Sequence, residues 1–202
     1  MKKLIIVLPV LFAFALSGCS AIKPIPIASP SNSSASAEQP SSSSISSNPY
    51  PPSETEFVKI IEEASKELAA NVTDIQRSQI IKMRDEKLCA AVPGNHADSW
   101  VGSVHNIGAT GDGNAYIEVE IAPTVVVQTW NNALSDLSDH TLIQPGSSLF
   151  QTLAPMKVET KVSFSGDFLT SSGSCLERGN ATEIFYGTDP NFVFRFSDIT
   201  NQ

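Results

Sequence analysis

Hydrophobic and polar positions follow different rules in successive parts of the chain. Residues 4–16 are almost uniformly apolar. From Phe57 the apolar residues Phe57, Ile60, Ile61, Ala64 and Leu68 recur at helical spacing, one face of an amphipathic helix. Ser53 precedes it as a cap, with Glu56 at the third helical position. Thr73 and Gln76 form a second capping box, opening a helix through Ile80, Ile81, Arg84, Leu88 and Ala91. Pro93-Gly94 ends it.

Beyond residue 99 the period changes to two. Residues 100–107 predict a first strand with Gly102 inside it, the mark of a bulge or sharp bend. Residues 111–114 predict a tight turn. Ala115, Ile117, Val119 and Ile121 then alternate with Tyr116, Glu118 and Glu120, a strand buried on one face. Residues 125–130 predict a third strand, and a short helix is expected at 147–153. Val158, Thr160, Val162, Phe164 and Phe168 alternate with polar residues, as do Phe192, Phe194 and Phe196. The order strand, strand, strand, helix, strand, strand over residues 99–199 is that of a five-stranded OB-type barrel. The expected fold class is therefore α+β, an N-terminal helical arm at 54–93 followed by a small OB-like barrel at 94–202.

The N-terminal part predicts no packed structure. Lys2 and Lys3, the apolar run 4–16 and the small residues after it have the layout of a secretory signal. Thirteen residues are too few to span a hydrocarbon core of about 30 Å. Residues 28–53 hold 12 Ser and 5 Pro among 26 positions, with one charge at Glu38. Such a stretch cannot bury enough apolar surface to offset its ordering entropy. Residues 19–53 are expected to be a flexible tether.

Leu16-Ser17-Gly18-Cys19 resembles the lipobox of bacterial lipoproteins. The resemblance implies a signal peptide over 1–18 and acylation of Cys19, which becomes the new N-terminus. Ser20 rather than Asp after the cysteine implies the outer membrane. The partner so implied is the membrane itself, through a lipid anchor of more than one chain. The patterns WxGxVxxI (100–107), VxFSGxF (162–168) and FxFRF (192–196) are similar to OB-like domains of uncharacterised bacterial and phage proteins.

The remaining thiols, Cys89 and Cys175, are expected to form a disulfide in an oxidising envelope compartment. The bond would tie the second helix to the segment between the last two strands.

Charge and motifs then narrow the function. A net charge of −8 argues against a nucleic-acid partner, which needs clustered Lys and Arg. His96, His105 and His140 lack ligand spacing, and Asp112-Gly113-Asn114 lacks the alternating ligands of a calcium loop. No nucleophile elbow, P-loop or dinucleotide fingerprint occurs. The acid pairs Glu62/Glu63 and Glu118/Glu120 are read as solvated surface. No catalytic residue, metal or cofactor is therefore expected.

Tyr116 and Trp130 are the aromatic residues placed where OB-like domains stack ligands. The long excursion 131–146 is the expected contact surface. The function these features imply is a non-catalytic, lipid-anchored binding module for an envelope protein or oligosaccharide. The alternative is a phage- or plasmid-associated exclusion lipoprotein that blocks a surface protein.

Overall fold

The computed structural model describes residues 50–202. The signal segment, Cys19 and all but the last residues of the tether lie outside the described residues. Two helices come first, α1 (Pro52–Leu68) and α2 (Asp74–Ala91), followed by a single 3₁₀ turn at Pro93–Asn95. The strands β1 (His96–Ala109), β2 (Ala115–Ala122), β3 (Val125–Gln128), β4 (Lys161–Phe168) and β5 (Asn191–Asn201) close a barrel in the order β1-β2-β3-β5-β4. α3 (Ser148–Leu153) lies between β3 and β4, and α4 (Glu183–Thr188) between β4 and β5. All strand pairs are antiparallel except β3 with β5, where Val127 faces Phe192. This is the OB-like architecture the strand order predicts. No described helix is long and apolar enough to cross a membrane.

α1 begins two residues inside the predicted tether, because Pro51 is its N-cap and Pro52 its first residue. Proline suits that position, where its missing N–H has no helical acceptor anyway. Ser53 therefore does not cap the helix; its hydroxyl accepts the indole N–H of Trp100 at 3.0 Å. The Thr73–Gln76 capping box forms as predicted.

α1 plugs one end of the barrel. Phe57 is fully buried, 5.1 Å from Trp100 of β1, 5.3 Å from Phe168 of β4 and 5.2 Å from Phe192 of β5, centroid to centroid. Phe164, Phe194 and Phe196 extend the aromatic cluster through the interior. Toward the other end, Leu153 of α3 and Met156 are buried beside Ile107 and Ala115.

Gly102 sits where β1 pairs with β4 and turns onto β2. A Cβ there would stand 2.5 Å from Val119 Cγ1 and 2.7 Å from the carbonyl of Glu120. Close approach of β2 therefore requires glycine. The bulges themselves lie on either side of it, at Ala97/Trp100 and Val104/Asn106.

α2 is fastened by three devices. The Cys89–Cys175 disulfide joins it to the β4–β5 connection, with Cα atoms 5.8 Å apart. Ile81 and Leu88 are buried. Arg84, 1% exposed, donates to the Tyr186 carbonyl at 2.9 Å and to Asp85 Oδ1 at 3.0 and 3.1 Å. Its guanidinium lies 4.3 Å from the centroid of the Tyr186 ring. Burial raises the Asp85 carboxyl above its ordinary range even though Arg84 opposes the shift. Arg84 stands among the apolar positions of the α2 repeat, and its partners on α4 explain how it stays there.

Four elements differ from the pattern-based expectation. β1 runs over His96–Ala109 rather than 100–107, and β3 stops at Gln128, which leaves Trp130 just beyond the strand rather than in it. β4 starts at Lys161 rather than Val158, because Glu159 takes a left-handed conformation (φ 71°) and Val158 is exposed. The sequence pattern gives no sign of α4. Its six residues are too few to establish a helical period, and the Thr182 hydroxyl caps it by accepting from the Phe185 N–H at 3.4 Å.

Candidate functional site

Two surfaces carry features that the core does not need: the excursion after β3, and a cleft beside α1.

The excursion, residues 131–146, is ordered by its own polar side chains. Asp136 is buried, and its carboxylate accepts from the Thr141 N–H at 2.6 Å, the Thr141 hydroxyl at 2.7 Å and the Leu142 N–H at 3.2 Å. Ile143 pairs with Ala115 at the start of β2. The Arg195 guanidinium of β5 donates to the Asp139 carbonyl. Trp130, half-buried, gives its indole N–H to Asp139 at 2.7 Å, and its amide donates to Thr141 at 2.9 Å. The indole thus braces the loop that follows it. Tyr116, also half-buried, lies over Gly108 on β1, where a Cβ would come within 2.6 Å of the phenol Cζ. The same bracing leaves two leucines of the excursion outside: Leu134 is 85% and Leu137 75% exposed.

The cleft lies between α1 and the barrel wall, with a volume of about 670 Å³. Val58 and Ile121 supply apolar wall, and Lys59, Glu62, Glu120 and Lys161 supply charge. Glu54 also lines it while being only 1% exposed. One of its oxygens accepts the Val101 N–H at 2.9 Å. The other, Oε1, is buried and has no hydrogen-bond partner among the described residues. Burial pushes the Glu54 carboxyl up from its ordinary 4.5 to about 7, against the lowering effect of the Val101 bond. Near neutral pH this is a carboxyl poised between its acid and its anion.

Glu54 is not among the residues that the sequence pattern singles out. The signal that could mark it is periodicity. Glu54 stands three residues before Phe57, on the N-terminal extension of the buried stripe Phe57, Ile61, Ala64 and Leu68. Leu134 and Leu137 left no comparable trace, because a loop has no period to depart from.

The other singled-out residues disperse. Cys89 and Cys175 meet in the disulfide far along the arm. His96 Nδ1 lies 2.7 Å from Asp167 on the exposed face of β1 and β4. Glu118 accepts from Asn106 at 3.1 Å and Glu120 from the Thr124 N–H at 3.3 Å, so the β2 acids brace their own neighbours. Among the described residues no group of three His, Cys, Asp or Glu could hold a metal ion. No protein-family model, curated protein or solved structure matches this chain significantly.

Proposed function

We propose that the mature chain is a lipoprotein held at the outer membrane through Cys19, whose OB-like domain is a non-catalytic module that binds an envelope protein. The observation that carries this reading is the braced excursion with Leu134 and Leu137 outward. Two neighbouring leucines held in water by an ordered loop have no use in the fold of the monomer. They fit a protein partner, because an apolar contact presented by a rigid segment binds without paying much ordering entropy. A net charge of −8 disfavours a nucleic-acid partner. The anchor rests on the lipobox resemblance of residues 16–19.

A photo-crosslinking side chain at position 134 or 137, in cells, tests the reading. A discrete protein adduct, lost in a chain that also carries Asp at the other leucine position, is the expected result. Adducts with glycan strands would move the ligand to the oligosaccharide class, and an absence of any adduct would overturn the contact surface. Cys19→Ala should give an unprocessed precursor; normal processing and membrane partition of that variant would overturn the anchor.

A further inference from the structure

The cleft beside α1 carries a recognition chemistry that the excursion does not. We propose that it binds an aliphatic primary ammonium group, the side chain of a lysine or another diamino acid within a peptide, with Glu54 as the acceptor.

The geometry selects this class in three steps. A carboxyl 1% exposed with one oxygen unpartnered is a cost to the fold unless a ligand relieves it. The oxygen is best met by a donor, and by a charged donor in particular, since among the described residues lining the cleft Glu54, Glu62 and Glu120 are set against Lys59 and Lys161. Lys59 is in addition engaged by Glu56 at 3.5 Å. The second step is ammonium against guanidinium. An Arg-like fork wants both carboxylate oxygens, but one Glu54 oxygen is already taken by the Val101 N–H. A compact ammonium needs only the free one. The third step is the stem. Val58 and Ile121 provide apolar wall against which methylenes can lie. When the cleft is empty, protonation keeps Glu54 from being a buried anion; an arriving ammonium favours the anion, so binding displaces the carboxyl proton to solvent.

The test is an ¹⁵N NMR titration of the mature chain in detergent micelles with N-acetyl-lysine N-methylamide. The controls are the norleucine analogue, which keeps the stem and lacks the ammonium, and the arginine analogue. The expected result is a saturable shift of the Val101 amide with the lysine probe, weaker with the arginine analogue and absent with norleucine. Glu54→Gln should weaken lysine binding about tenfold or more. In the wild-type chain affinity should rise from about pH 6 to about pH 8, as the carboxyl proton becomes easier to displace. A Val101 amide that does not move, equal binding of norleucine, or unchanged binding by Glu54→Gln would each overturn the proposal. Crosslinking through positions 134 and 137 reports separately on the excursion, so failure here leaves the proposed function standing, and the reverse.

Discussion

Glu54→Gln is the substitution whose consequences follow most directly from the structure. In the folded protein burial holds the Glu54 carboxyl near 7, against 4.5 in the open chain. Between those values the native state keeps a proton that the unfolded state has released. Stability therefore falls as pH rises from about 4.5 to about 7 and is flat beyond. At about 1.36 kcal/mol per pH unit, the full loss is about 3 kcal/mol. The Gln variant cannot ionise, so it lacks this slope. Its amide oxygen can still accept the Val101 N–H, and its buried NH₂ adds a cost of about 1–3 kcal/mol at every pH. The absolute offset between the two proteins is thus not the diagnostic quantity; its change with pH is. Thermal melts across about pH 4.5 to about pH 8 should show the wild type losing ground to the variant by about 6–12 °C in midpoint, for a folded body of this size. Asp85, whose carboxyl is also raised, titrates in both proteins and cancels in the difference. Parallel pH profiles for wild type and variant would refute the argument, since they would mean that Glu54 is ionised in the folded state throughout.

Three further outcomes follow from the fold. Cys89→Ser, Cys175→Ser and the double variant should lose similar stability, up to about 4–5 kcal/mol for a bridge spanning 86 positions, with little extra loss in the double; non-reducing peptide mapping and denaturant melts check both parts. Gly102→Ala should destabilise by about 1–3 kcal/mol, because its Cβ meets Val119 and the Glu120 backbone; a melt equal to wild type would mean that β1 and β2 can separate there without cost. Asp136→Ala, which strips three hydrogen bonds from the excursion, should speed amide exchange at Thr141 and Leu142 while the barrel strands keep their protection; unchanged exchange would show that the loop is held by other contacts.

The two surfaces were legible to different degrees. The excursion stands out by length alone, since sixteen residues without a strong pattern are long for a connection. What it displays was not legible, because Leu134 and Leu137 point outward only once Asp136, Trp130 and Arg195 have fixed the loop. Trp130 was readable as an aromatic beside a strand, but its partner Asp139 is set by the fold of the loop. Glu54 is not legible as a buried acid, because a helical wheel gives the side of a residue and not the wall opposite. Val101 closes that wall from another element, 47 positions along the chain.

The chain's own pattern determined the local elements: the capping box at Thr73, the alternations of β2 and β5, and a strand order that matches a small barrel. Each depends on neighbours a few residues apart, and period and capping chemistry act at that range. Tertiary structure alone decided where distant groups meet. The burial of Arg84 against Tyr186, the seating of Phe57 among Trp100, Phe168 and Phe192, and the raised carboxyl of Glu54 all arise when the helical arm closes on the barrel. Desolvation is a property of the space around a group, and that space is built by residues from every part of the chain.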